Sequence, residues 1–275
     1  VMGVHLVSEA ERLAYADRDM YVADTDFVPL PGKGVSSMLD KTYLKSRAAL
    51  ISPDKSMGIA TAGTFAAAPS NAVDKTIENG TTHFSIVDTY GNVVSMTTTV
   101  EASMGSFHMV GGFLLTNQLT DFSAAPADAQ GKPVANRVES GKRPRSTMAP
   151  TLVFQGTDAS NFLMATGSPG GGAIIQYVLK TVVGALDWGL DAQQATSLNS
   201  FGATNSRTTS VDGANTTQDL TPLVDGLKLK GHTVSTSAQS SGISTIMRVQ
   251  KNGTPVLQGG VDPRREGIVL GNGAL

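Results

Sequence analysis

Of the devices by which residues in the 275-residue sequence could carry chemistry, most fall short on inspection. The histidines His5, His83, His108 and His232 are far apart in the chain, with no pair at helical i, i+4 spacing, so a histidine metal site is not expected. No Gly-x-Ser-x-Gly elbow exists, which weighs against a serine hydrolase triad on an α/β sheet. The glycine-rich run at 167–172 lacks the Lys-Ser/Thr that would let it cradle a nucleotide phosphate. There is no cysteine, hence no thiolate nucleophile, thiolate zinc site or disulfide. What remains is Gly80-Thr81-Thr82-His83-Phe84-Ser85, a threonine behind a permissive glycine and at the head of a strand-forming run. A threonine hydroxyl becomes a nucleophile only when a nearby base takes its proton. Taken alone, the hexapeptide reads more simply as a loop-ending glycine before a strand-forming residue.

The elements that would hold Thr81 are legible from pattern. Leu6, Val7, Ala10, Leu13, Ala14 and Tyr21 recur at helical spacing, and Glu9, Glu11, Arg12, Asp17 and Arg18 supply the expected wet face. Residues 24–37, with Pro29, Pro31, Gly32 and Gly34, have loop chemistry. Asp40 can cap a second helix that Ser52-Pro53 ends. Residues 51–80 turn to Ala, Ser, Thr, Gly and Pro, a long strap with little secondary structure of its own. Residues 81–87 and 93–100 then form a hairpin around a turn at 88–92, and 151–154 with 161–166 form a second strand pair. Residues 167–172 open a helix with Ile174, Ile175, Val178, Leu179, Val182, Val183 and Leu186 on one broad apolar stripe. Thr221-Pro222 caps and starts a short helix that ends at Gly231. A last hairpin, 243–250 with 254–259, turns through Asn252-Gly253. Antiparallel hairpins mixed with helices predict an α+β chain rather than a regular β-α-β alternation.

Composition narrows the function classes. Lys and Arg total 21 against 23 Asp and Glu, for a net charge of −2, which lacks the basic excess of a nucleic-acid binder. With 16% charged and 40% hydrophobic residues the balance is globular. No run of about 18 apolar residues is present to span a membrane, and no leader is visible. Val1-Met2-Gly3-Val4-His5-Leu6-Val7 reads as the middle of a longer chain, so the sequence is expected to be the back portion of a precursor.

An ordered set of motifs decides in favour of the threonine. It comprises Thr81-Thr82-His83-Phe84-Ser85-Ile86-Val87-Asp88, Gly91-Asn92, and Asn117-Gln118 with Asp121-Phe122-Ser123. Arg143-Pro144 before Ser146-Thr147-Met148, Gly167-Ser168-Pro169-Gly170-Gly171 and Asp262-Pro263-Arg264 complete it. With Glu9-Ala10-Glu11-Arg12 and Ala14-Tyr15-Ala16-Asp17-Arg18 upstream, the set resembles the γ-glutamyltranspeptidase family of N-terminal-nucleophile hydrolases over nearly the whole chain. The resemblance implies a four-layer αββα sandwich in which stacked antiparallel sheets are flanked by helices. It implies a precursor that cuts itself between Gly80 and Thr81, residues 1–80 being the tail of the large subunit and 81–275 the small subunit. Such a cut would give Thr81 an α-amine with an ordinary pKa of about 7.7–8.0, beside the hydroxyl it must activate. The same hydroxyl attacking the Gly80 carbonyl would make maturation intramolecular.

The resemblance also distributes roles. Thr99 would support activation of Thr81, and the N–H groups of Gly170 and Gly171, ahead of a helix, would stabilise an oxyanion. Gln118 and Asp121 would hold the α-ammonium group of a donor, and Ser146 and Thr147 its α-carboxylate. No cofactor or metal is implied. The implied donors are glutathione and other γ-glutamyl compounds, the acceptors water, amino acids or peptides, and the location periplasmic or secreted. Glu101 stands where many relatives carry asparagine, which leaves donor preference open and keeps a glutaryl (cephalosporin) acylase as the alternative. A third possibility is an uncut, inactive scaffold. Residues 124–141, where relatives differ in a lid, hold no aromatic gate, so an open site is expected. Because the earlier part of the large subunit is missing, this chain alone is expected to be a poor transpeptidase.

Overall fold

The computed structural model describes residues 1–74, 80–157 and 159–271. In chain order the elements are α1 (Met2–Tyr21), α2 (Val35–Met38), α3 (Lys41–Ala48), β1 (Thr82–Val87), β2 (Val93–Thr98), β3 (Met109–Val110) and β4 (Phe113–Leu114). They continue as β5 (Thr151–Phe154), β6 (Phe162–Gly167), α4 (Ile174–Leu186), α5 (Ala192–Ser197), β7 (Phe201–Gly202), β8 (Thr208–Asp212), α6 (Thr221–Leu229), β9 (Thr233–Ser237), β10 (Ser244–Lys251) and β11 (Thr254–Val261). No described helix is long and apolar enough to cross a membrane.

The α+β sandwich is built around two stacked antiparallel sheets. The hairpin β1–β2 lies on a four-stranded sheet of order β11-β10-β6-β5, and α4 and α5 cover that sheet's other face. Met164, Met247, Ala185, Ala192 and Ala195 form the core between this sheet and its helices. The seam between the two sheets is of another kind. Along β1 the inward residues are His83 and Ser85, whereas Phe84 and Ile86 face outward, with Val94 and Met96 of β2 beside them. Polar groups fill the seam: His83 Nδ1 meets Thr97 Oγ1 at 2.8 Å, Ser95 Oγ donates to the Thr166 carbonyl at 3.0 Å, and Thr166 and Thr245 share a hydroxyl contact of 2.9 Å. A Cβ on Gly167 would fall 2.2 Å from the His83 ring, so the absent side chain is what admits the imidazole.

Helix α1 forms where its periodicity predicts and buries Leu13 and Tyr21 of its apolar stripe, but the face expected to be wet is covered as well. Glu9, Glu11, Arg12 and Asp17 are buried, while Leu6 is exposed. The reason lies in the strap. Residues 51–74 contain no helix or strand, so their backbone groups need partners from elsewhere. The charged face of α1 supplies them. Glu9 accepts from Met57 N at 2.6 Å and Ser56 Oγ at 2.7 Å, Arg12 donates to the Gly58 carbonyl at 2.9 Å, and Asp17 accepts from Gly63 N at 2.6 Å. Of the strap read from sequence, residues 75–79 lie outside the described residues. Glu11 accepts from Ala203 N at 2.8 Å, and burial pushes its carboxyl up to about 8. A raised carboxyl pKa favours folding fully below the ordinary value of 4.5, and that contribution is lost as pH rises through 8. Glu11→Gln is therefore expected to gain thermal stability relative to the parent protein as pH rises from about 5 to 8. Paired melting curves across that range check it, and a pH-independent difference refutes it.

Two expectations about the remaining elements are corrected. The histidines are not all isolated: His5 Nδ1 and His232 Nε2 lie 2.7 Å apart, with Glu9 Oε1 4.0 Å from His232. These donor atoms could hold a metal ion, but hydrogen bonds already occupy them. His5 Nε2 meets the Ser52 carbonyl at 2.7 Å, which only accepts, so His5 Nδ1 accepts from His232 Nε2–H. His232 Nδ1 then accepts from Thr209 Oγ1, 2.7 Å away, which in turn accepts from Arg12. Thr221 is not the cap of α6 either. It is already helical, and Asp219 Oδ1 accepts its N–H at 2.9 Å. One β-α-β unit also exists: β8 and β9 are parallel, joined through α6.

Candidate active site

The hairpin β1–β2 determines where Thr81 sits. Its register pairs Thr82 with Thr98, so Thr81 and Thr99 come next at the open end, Thr81 just outside the strand. Thr99 Oγ1 accepts from Glu101 N at 2.7 Å and donates to the Gly80 carbonyl at 3.0 Å. The Thr81 hydroxyl is in close contact with that same carbonyl. Two hydroxyls therefore converge on the carbonyl of the bond that precedes Thr81, that of Thr81 itself and that of Thr99, which is oriented by a backbone N–H. Gly80 has φ +59°, and a Cβ there would lie 1.3 Å from the Glu101 carbonyl oxygen, so only glycine fits.

Opposite this end lie the other residues singled out by sequence. Gln118 and Asp121 are the first and last residues of a 3-10 turn, Gln118–Asp121, where side chains three apart eclipse. Gln118 Nε2 donates to Asp121 Oδ2, and Asp121 is buried. Ser146 Oγ accepts from Met148 N at 3.0 Å, which leaves its own proton to donate. Thr147 Oγ1 instead donates to the Gly171 carbonyl at 2.7 Å, so its hydroxyl proton holds the glycine loop. That loop enters the 3-10 turn Gly171–Ala173 and then α4, whose first N–H groups have no acceptor within the helix. At Gly170, φ +142°, a Cβ would lie 2.4 Å from the Tyr177 ring.

Gly80, Thr81, Thr99, Gln118, Asp121, Ser146, Thr147 and Gly171 thus line one cleft, together with Met148 and Ile174. Neither Met148 nor Ile174 was given a role from sequence. Ile174 starts the apolar stripe of α4, a pattern that signals core and says nothing of a cleft. Glu101 and Gly170 are not among the lining residues. Glu101 is buried, with a left-handed backbone at φ +68°. Residues 124–141 contribute no lining residue. The enclosed space is about 10 Å³, close to the room one water needs.

Other motif residues serve the scaffold. Arg143 is held by Asp24 at 2.6 Å and Asp26 at 2.6 Å. Arg264 bridges Asp212 at 2.5 Å and Asp262 at 3.0 Å. His83 is pushed down to about 4 by burial, so it is neutral in the seam at pH 7.

Residues 1–272 match the family described as Gamma-glutamyltranspeptidase. The chain is 34% identical to the Glutathione hydrolase proenzyme of Bacillus subtilis over 278 aligned positions, covering 97% of this chain and 44% of that protein. It is 30% identical to the Acylase ACY 1 proenzyme of a Pseudomonas species, over 70% of this chain and 31% of that protein. Among solved structures, a mutant of Helicobacter pylori gamma-glutamyltranspeptidase matches with a TM-score of 0.57 and 31% identity, covering 67% of this chain and 100% of that one. The chain spans less than half the length of these curated relatives. With a family match over almost every residue, the chain belongs to the gamma-glutamyltranspeptidase family of enzymes.

Proposed function

We propose that this chain is the C-terminal part of a precursor that cuts itself before Thr81 and then acts as a γ-glutamyl transferase and glutathione hydrolase. The observation that carries the reading is the convergence of the Thr81 and Thr99 hydroxyls on the Gly80 carbonyl. In the first step Thr81 Oγ1 bonds to the Gly80 carbonyl carbon while Thr99 donates to the oxygen on which negative charge develops. The carbon–nitrogen bond then breaks, the hydroxyl proton passing to the Thr81 nitrogen. Water hydrolyses the resulting ester, leaving a carboxylate on Gly80 and a free amine on Thr81. Gly80 itself lines the cleft, so withdrawal of its end makes room for a donor.

In turnover the Thr81 amine takes the proton of its own hydroxyl as that oxygen attacks the γ-glutamyl amide. Gly170 and Gly171 face the tetrahedral oxyanion, Gln118 and Asp121 receive the donor's ammonium group, and Ser146 donates to its carboxylate. Thr147 acts one step removed, by holding Gly171. Water or an amino group resolves the acyl ester. Residues 1–80 are the tail of the large subunit and 81–275 the small subunit. The whole-chain match of the Helicobacter pylori structure to about two thirds of this one supports that division. A periplasmic or secreted location accords with the reading.

The similarity to an acylase and the acidic Glu101 keep a glutaryl acylase as the second reading. The test uses the full-length precursor. Intact mass is expected to show two fragments that divide between residues 80 and 81; a single uncut species that turns over substrate at full rate sinks the proposal. γ-Glutamyl and glutaryl anilides are then compared. Asp121 opposite the donor's ammonium group predicts at least tenfold preference for the γ-glutamyl compound, the worth of about 1.4 kcal/mol in a charge-assisted contact. Equal or reversed rates select the acylase.

A further inference from the structure

Asn136 is fully buried in a segment without helix or strand, and the proposed chemistry does not use it. Its amide nonetheless joins three parts of the molecule. Nδ2 donates to the backbone carbonyl of Asp121 at 2.8 Å and to Asp74 Oδ2 at 3.0 Å. Oδ1 accepts from the backbone N–H of Arg145 at 2.9 Å. Its own carbonyl accepts from Ser123 N at 2.9 Å. Asp121 belongs to the proposed ammonium subsite, and Arg145 directly precedes Ser146 of the proposed carboxylate subsite. Asp74 lies on the strap that leads to Gly80. It also meets the Arg145 guanidinium at 3.2 Å, and its backbone N–H donates to the Asp19 carbonyl of α1 at 3.1 Å.

We propose that Asn136 is a positioning residue that sets the distance between the two donor subsites and ties both to the strap through Asp74. The inference rests on the donor site assigned above. No other side chain type fills the place. A carboxylate could not donate to the Asp121 carbonyl or to Asp74, and an apolar residue of similar volume would leave three buried polar groups without this partner. A γ-glutamyl donor is gripped at both ends of its amino-acid moiety, so a shift of one subsite against the other weakens binding before it affects the chemistry at Thr81.

The experiment uses the full-length precursor in four forms: parent, Asn136→Asp, the exchanged pair Asn136→Asp with Asp74→Asn, and Thr81→Ala. Cleavage is read by intact mass, turnover as KM and kcat for a γ-glutamyl anilide, and stability by thermal melting. Asn136→Asp is expected to mature and to raise the donor KM about tenfold or more, with kcat changed less. That corresponds to one or two lost buried hydrogen bonds. The exchanged pair again sets an amide against a carboxylate between positions 74 and 136, and is expected to recover at least about threefold of that KM. A role confined to stability would lower the melting temperature and leave KM unmoved. A KM within about twofold of the parent, with Thr81→Ala inert, overturns the inference and spares the site. Turnover by Thr81→Ala overturns the site and the inference with it. Should Asn136→Asp not fold, Asn136→Ser, which keeps one hydroxyl, replaces it under the same criteria.

Discussion

Thr81→Ala is expected to leave the precursor as one uncut chain and to abolish γ-glutamyl turnover. The hydroxyl serves twice in the proposed scheme, first on the Gly80 carbonyl and then on the donor, and no other group in the cleft can take its place. Ser146 is engaged by Met148 N and Thr99 by Glu101 N, and neither carries an α-amine that cleavage would release. Losing the nucleophile of an acyl-transfer enzyme costs on the order of 10⁴- to 10⁶-fold in kcat. Thr81→Ser keeps the hydroxyl but frees its rotamer, so it matures and turns over more slowly than the parent and far faster than the alanine variant. Mass spectrometry and an anilide assay on the same preparations check both. Cleavage or substantial turnover in Thr81→Ala would remove the basis of the mechanism.

The second large effect is expected at Gly80→Ala. The added Cβ would lie 1.3 Å from the Glu101 carbonyl oxygen, far inside any tolerated contact, at a backbone φ of +59°. That oxygen is backbone, so either Gly80 or the 99–101 turn must move by more than 1 Å. The Gly80 carbonyl then leaves the reach of Thr99, and a misplacement of about 1 Å in a near-attack geometry costs about 100-fold. Residue 80 is absent from the Thr81 chain once the cut is made, so the defect falls on maturation. Matured material, however little, should work normally. A time course of cleavage, normalised by activity per cut chain, separates the two steps. Maturation at the parent rate contradicts the geometry.

Much of the scaffold is legible because its signals are local. Asn252 and Gly253, at φ +52° and +80°, make the turn their types predict and close the β10–β11 hairpin, as the turn at 88–92 closes β1–β2. Asp40 caps α3 by accepting from Thr42 N and Tyr43 N at 2.9 and 3.0 Å. What escapes the sequence depends on partners far away in the chain. The parallel pairing of β8 with β9 has no local mark. His5 and His232 meet across 227 positions. The charged face of α1 looks solvated until the strap is laid against it, because periodicity identifies a helix without naming what covers each side. At the site, residue types and order single out residues that the fold brings together in one cleft. The burial of Glu101, the use of the Thr147 hydroxyl on Gly171 and the reach of Asn136 are matters of direction, which a linear pattern does not encode.

The hydrogen-bonded seam between the two sheets has a mechanical meaning. Oily layers can slide past one another at small cost, because dispersion has no preferred direction. The Ser95 hydroxyl on the Thr166 carbonyl and the Ser85 hydroxyl on the Ser244 carbonyl behave like index pins between the sheets, since a slip of one residue along the strands would break both at once. The hairpin is thereby locked lengthwise, and its tip is held to the alignment that bond-making demands. In the proposed scheme Thr81 ends on a freed chain terminus, where such a ratchet matters more than for a nucleophile anchored on both sides.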